Sequence, residues 1–178
     1  SFAAIRVLGM IRLYGERVSR ARASVKKTMS GNKYEVALDE TWELFGQYMS
    51  GAHAGLCCVI SSESLSEAAE KALDSSLAAL GYGHDVCTFV VPGDLDRQAL
   101  FVLVEGLDPI CIVAADGKSA ALLGQAYHLA VPSGKATRLL GRTTVSFLDF
   151  ESLLKTPQDK QIAWALLKKL QRFGDKRS

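Results

Sequence analysis

The sequence predicts an α/β fold: a three-layer α/β/α sandwich on a central, mainly parallel four-stranded sheet, behind a helical N-terminal arm. Three observations carry this expectation. Short apolar runs, LCCVI, VCTFVV and ICIVAA, recur between longer segments with helical spacing. The runs are continuously apolar rather than alternating, as strands buried on both faces are. Of the 178 residues, 48% are apolar, enough for one sizeable core. Strands that alternate with helices in this way lead to a parallel sheet covered on both sides.

Taken in order, the arm spans residues 1–50 and the α/β/α domain 51–178, as one structural unit. Ile5, Leu8, Ile11 and Leu13 sit at roughly helical spacing in the segment 3–29, which turns polar after Tyr14; SGN at 30–32 breaks it. A second helix is expected over 35–49, where Val36, Leu38, Trp42, Leu44, Phe45 and Tyr48 form a thick apolar stripe, with a loop over 51–55. The expected strands are 56–60, 86–91, 110–114 and 143–148, with 127–131 as a further candidate. Ser64 and Glu67 read as a capping box opening a helix that runs to Leu80 and stops at Gly81. PGDLD leads into a helix from Leu95 to Glu105, ended by Gly106. Asp116 caps a short helix ending at Leu123 and Gly124. Thr156 before Pro157 is N-cap then first helical position, starting a last helix through Arg172.

Charge is unevenly spread. The chain has 21 basic and 19 acidic residues; residues 1–29 hold seven of the former (Arg6, Arg12, Arg17, Arg20, Arg22, Lys26, Lys27) and one of the latter, Glu16. The arm therefore carries +6, and the other 14 basic and 18 acidic residues leave −4 on the body. A basic arm on a slightly acidic body points to phosphate contact, although the solvated face of an amphipathic helix has the same composition.

Cys57, Cys58, Cys87 and Cys111 all lie inside apolar runs, where free cysteine behaves as a small buried hydrophobe. No CxxC pair offers a zinc or iron–sulfur ligand set, and the three histidines are far apart, so no cofactor and no metal are expected. Reduced thiols point to the cytoplasm. No run approaches the length of a membrane span, and Arg6 and Arg12 interrupt the only N-terminal apolar stretch, so neither a membrane partner nor a secretory signal is expected. The first residue is Ser, not Met, and the natural chain is expected to start earlier.

Two strings suggest a nucleotide site: Gly117-Lys118-Ser119 and Gly134-Lys135. A P-loop also needs a glycine five positions earlier, so that backbone N–H groups wrap the phosphates; those positions are Ile112 and Leu129. No Gly-x-Ser-x-Gly elbow is present for a nucleophilic serine.

Four segments, LCCVISSES, SLAALGYGHDVCTFVV, LVEGLDPICIVAADGKSAALLG and LLKTPQDKQIAW, resemble in order the uracil-DNA glycosylase superfamily, over roughly residues 55–172. The first is similar to that family's first strand and catalytic loop, and the last to its final active-site loop and helix. The resemblance implies the glycosylase-like fold, and its departures fall on functional positions. Where the family has a His-Pro-Ser triplet before the Leu-Leu pair, this chain has Asp149, Phe150 and Glu151. The first loop, Ser61-Ser62-Glu63-Ser64, lacks the family's glycine and proline. No base-stacking aromatic follows it, and Thr88, Phe89 and Val90 replace the amide that reads the base. Two functions follow from the resemblance. The first is a non-catalytic binding or interaction module, with nucleic acid met through Arg17, Arg20, Arg22, Lys26 and Lys27 and with Ser62 and Thr88 in the pocket. The alternative is a divergent DNA glycosylase in which Glu63 orients water and Asp149 stands by the departing base. Otherwise Glu63 is ordinary helix-start chemistry, and Asp149 caps the short helix that follows it.

Overall fold

Runs of four or five residues, nearly all buried, make the centre of the molecule. The computed structural model describes residues 33–170. It begins with helix α1 (Lys33–Phe45) and a short 3₁₀ turn (Gly46–Tyr48) leading into β1 (Met49–Gly51). There follow β2 (Cys57–Ile60), α2 (Glu67–Ala79), β3 (Cys87–Val90), α3 (Arg97–Leu107), β4 (Cys111–Ala114) and α4 (Gly117–Tyr127). The hairpin β5 (Ala136–Leu139) and β6 (Arg142–Ser146), a 3₁₀ turn (Glu151–Leu154), α5 (Pro157–Leu167) and a last 3₁₀ turn (Lys168–Leu170) complete it. The class is mixed α/β.

The sheet has six strands in the order β1-β3-β2-β4-β6-β5. The expectation of four strands is therefore corrected. The interior strands β3, β2, β4 and β6 are parallel, and β1 and β5 add an antiparallel edge at each side. Every residue of β2 and β4 is buried, because helices cover both faces. Side chains of a strand point alternately to the two faces. Cys58, Ile60, Ile112 and Ala114 thus join α1, α3 and α4 on one side, while Cys57, Val59, Cys111 and Val113 join α2 and α5 on the other. All four cysteines are free and buried. Hydrogen bonding with the Cys111 and Cys87 thiols, and then burial, pushes the Cys57 thiol well up, and burial does the same to Cys58, so both pack as apolar groups.

Several boundaries differ from expectation. Helix α1 stops at Phe45 rather than Met49, since Met49 pairs with Val90 as the first residue of an edge strand. Helix α2 is capped by Ser66, whose oxygen accepts from Ala69 N at 3.1 Å, and not by Ser64. Helix α3 runs through Gly106 to Leu107 and closes on left-handed Asp108. The candidate strand 127–131 is absent, because α4 continues through Gly124 to Tyr127 and ends on left-handed His128. Gly124 is a close-approach residue, not a stop: a Cβ there would lie 2.7 Å from the Leu129 carbonyl oxygen. Helix α5 does start as expected, with Thr156 Oγ1 accepting from Asp159 N at 3.1 Å and Pro157 in the first turn, but gives way to 3₁₀ after Leu167. The expected helix over 3–29 and the residues beyond 170 lie outside the described residues.

Candidate functional site

Strands β2 and β4 are neighbours, yet the chain leaves them in opposite directions. From β2 it passes through α2 on one face to β3, and from β4 through α4 on the other face toward β6. Such a divergence at the carboxyl ends of parallel strands is where open α/β sheets form a ligand crevice. In this chain the crevice is bounded by Ser61, Ser62 and Glu63 after β2, Asp116 after β4, and Leu148 and Asp149 after β6.

Asp116 holds these loops together. As N-cap of α4 it accepts from Ser119 N through Oδ1 at 2.8 Å, and Ser119 Oγ closes the capping box onto the Asp116 N–H at 3.3 Å. Its other oxygen, Oδ2, accepts from Ser62 N at 2.7 Å and from Ser62 Oγ at 2.9 Å. Burial works to push this carboxyl up, but the hydrogen bonds from Ser119 and Ser62 outweigh it and hold the pKa below the usual value. On the far side an isolated bridge joins the loop to the end of β6: Gly117 N donates to Leu148 O at 3.1 Å and Phe150 N to Ala115 O at 2.8 Å. Glu151 extends the lacing, accepting from Ser66 N and Ser66 Oγ at 2.8 Å each, and so fixes the start of α2.

Two clefts flank this knot. Ser62 and Glu63 line one of about 270 Å³ with Pro92, Gly93, Lys118 and Leu122. Asp149 lines the other, about 420 Å³, with Leu148, Leu153, Ile162 and Leu166. Thr88 lines neither. It is 1% exposed in the sheet, its Oγ1 donates to the Ala52 carbonyl at 2.5 Å, and it packs so closely on Gly55 that a Cβ there would stand 2.2 Å from Oγ1. Ser62 and Glu63 thus line one cleft and Asp149 the other, with Asp116 laced to both segments between them, while Thr88 lies buried in the sheet. Asp149 does not cap the turn after it. Phe150 holds the N-cap position without a side-chain hydrogen bond, and Ser152 Oγ donates to the Asp149 carbonyl at 2.8 Å. The basic residues Arg17, Arg20, Arg22, Lys26 and Lys27 lie outside the described residues. Among the described residues, no group of three or more His, Cys, Asp or Glu side chains is arranged to hold a metal ion.

Sequence reasoning found Asp116 as a cap but missed its hold on Ser62. The two residues are 54 positions apart, and only the pairing of β2 with β4 brings them together. No helix among the described residues is long and apolar enough to cross a membrane. No family model and no curated protein matches the chain.

Proposed function

We propose that the chain is a uracil-DNA glycosylase-like module that binds without cleaving, with nucleic acid as its partner and the basic arm as the first contact. The observation that carries this reading is the state of the crevice at the switch point. Its central acid, Asp116, has both oxygens committed to Ser62 and Ser119, so it is a structural staple and not a free base for activating water. The two remaining acids that excision would draw on, Glu63 and Asp149, line different clefts. Base flipping needs a pocket that stacks the extruded base between aromatic or apolar side chains and bonds its pairing edge. The cleft beside Glu63 is lined by Pro92, Gly93 and Leu122, with no aromatic ring among its described lining. What remains is the side-chain composition that suits a phosphate backbone: seven basic side chains on residues 1–29 against one acid.

The test is binding of single-stranded and duplex DNA by the full chain across a salt series. Affinity is expected to fall steeply with salt, the logarithmic slope being about 0.7 per neutralised phosphate on single strands. Replacing Arg17, Arg20, Arg22, Lys26 and Lys27 by Gln is expected to flatten it. Absence of binding at low salt contradicts the proposal.

A further inference from the structure

The cleft beside Asp149 has an apolar middle that the fold leaves open. Five large apolar side chains stand exposed among the described residues, and two of them, Leu148 at 75% and Ile162 at 58%, line this one cleft. Scattered exposed leucines are ordinary, whereas neighbouring ones rimmed by polar groups mark a contact surface. The exposure of Leu148 is imposed by its backbone. Phe147 N donates to the Ala114 carbonyl at 2.9 Å, Gly117 N to the Leu148 carbonyl at 3.1 Å, and Phe150 N to the Ala115 carbonyl at 2.8 Å. Extended backbone sends successive side chains to opposite sides. Phe147 enters the core, at 2% exposed, so Leu148 is turned outward on a segment that cannot roll it in. The helical side of the cleft is Ile162, Ala165, Leu166 and Lys169, spaced three and four residues apart and so in one stripe along α5 and the turn after it.

The ends of the cleft carry opposite charges. Asp149 stands past the carboxyl end of β6. Lys169 lies past the last turn of α5, next to Leu170, whose carbonyl accepts from Tyr82 Oη at 3.1 Å, and Tyr82 leads into the amino end of β3. Because β3 and β6 run parallel in the sheet, the acid and the base sit toward opposite edges of it. Among the described residues neither has an ion-pair partner. The order along the cleft is acid, apolar, base. A surface in that order is complementary to itself: a twofold axis across its middle sets two copies antiparallel, so the acid of each meets the base of the other while the apolar centres close on one another. An apolar or singly charged occupant leaves one of the two charges unmatched.

We propose that this face joins two copies of the chain in a symmetric dimer, with Leu148 and Ile162 at its centre and the pairing of Asp149 with Lys169 made twice at its rim. The contact covers the cleft beside Asp149 in both copies.

Sedimentation of the full chain without nucleic acid tests it, from about 1 μM to about 1 mM, the range of weak to moderate affinities. At about 0.15 M salt the screening length is about 8 Å, which damps long-range effects of the basic arm but not charges in contact. The expected mass rises from one chain to two and no further. Leu148→Ser, at an exposed position that leaves the core intact, should weaken the dimer about tenfold or more, since symmetry loses the contact twice. Asp149→Lys and Lys169→Asp each set like charges opposite one another at both ends, so each alone should stay monomeric where wild type pairs. Mixed one to one, the two variants should form a dimer again, because each copy brings the charge that the other lacks. A monomer at every concentration overturns the proposal and leaves the cleft to a partner of another sequence. Association that ignores Leu148→Ser, assemblies larger than two, or charge variants that are folded by circular dichroism yet fail to pair when mixed overturn it as well. The readout involves no DNA, so it stands or falls separately from the binding function proposed above.

Discussion

Asp116 and Ser62 form a two-point clasp between neighbouring strands: one carboxylate oxygen accepts both the Ser62 N–H, at 2.7 Å, and its hydroxyl, at 2.9 Å. The clasp joins the loops that leave β2 and β4 in opposite directions, so it keeps the crevice mouth at a fixed width. Without it, Ser62 N and Ser119 N lose their acceptor at a part-buried position. Loss of a cap costs about 1 kcal/mol, and a donor left unpaired adds about 1–3 kcal/mol. Asp116→Ala is expected to lower the unfolding free energy by about 2–4 kcal/mol in denaturant titration. Asp116→Asn, which keeps one acceptor oxygen, should cost roughly half as much. The lowered Asp116 pKa also fixes a pH dependence. Its contribution is present above the unfolded value of about 3.9 and is lost as pH falls through the lower folded value. Equal stability of wild type and Asp116→Ala at neutral pH contradicts this role.

The hairpin between β5 and β6 carries its own strain. Its two turn residues are Leu140 and Gly141, with φ 47° and 84°, and positive φ at both is what a two-residue hairpin of this hand requires. Glycine adopts it freely, whereas an L-residue with a bulky side chain bears about 1–2 kcal/mol. Leu140 is 63% exposed, so little packing offsets that strain. Leu140→Asn is expected to raise stability by about 0.5–1 kcal/mol. Thermal unfolding checks it, and a lower midpoint for the variant shows that Leu140 makes a contact worth more than the strain.

A third prediction concerns pH at the loop after α2. His84 Nδ1 and Asp74 Oδ2 are 2.7 Å apart, and Asp74 Oδ1 also accepts from Asp85 N at 2.6 Å. The hydrogen bond to Asp74 raises the His84 pKa, and the bonds from His84 and Asp85 lower that of Asp74. The carboxylate's share of stability is present above about pH 3.9 and disappears as pH falls through its folded value; the imidazole's is full below about 6.5 and disappears as pH rises through its folded value. The difference in Tm between wild type and His84→Ala should therefore peak between about pH 4 and 6.5 and shrink above. A difference constant from acid to alkaline pH sinks the ion-pair account.

What the sequence disclosed follows from how each signal is encoded. The interior strands were legible because LCCVI and ICIVAA are buried on both faces and so contain no polar interruption. The edge strands were not. Met49–Gly51 and Ala136–Leu139 are short and partly exposed, and their identity rests on backbone pairing with β3 and β6. Helix starts at Asp116 and Thr156 could be read because a cap is a contact three residues long. The misplaced cap at Ser64 shows the limit of that signal, since Ser64 and Ser66 both stand ahead of the same helix and only the path of the loop selects Ser66. The candidate site was legible in part. Ser62 and Glu63 were picked out by their position after the first strand, but Thr88 proved to be a buried link to Ala52, and the staple role of Asp116 depends on a contact across 54 positions.

The most direct measurement of the central claim is an excision assay on uracil-containing single-stranded and duplex oligonucleotides. Donors aimed at charge that develops on a departing base contribute a few kcal/mol each. Asp149 is exposed and offers a carboxylate in place of such a donor, which repels an anion. The account predicts no protein-dependent abasic sites from the wild-type chain. It predicts none from Asp149→His either, because Asp149 and Glu63 line different clefts and Thr88 is buried in the sheet with its hydroxyl on the Ala52 carbonyl. Robust abasic-site formation by wild type contradicts the account outright, and activity in Asp149→His alone shows that a working pocket survives around the substituted residue.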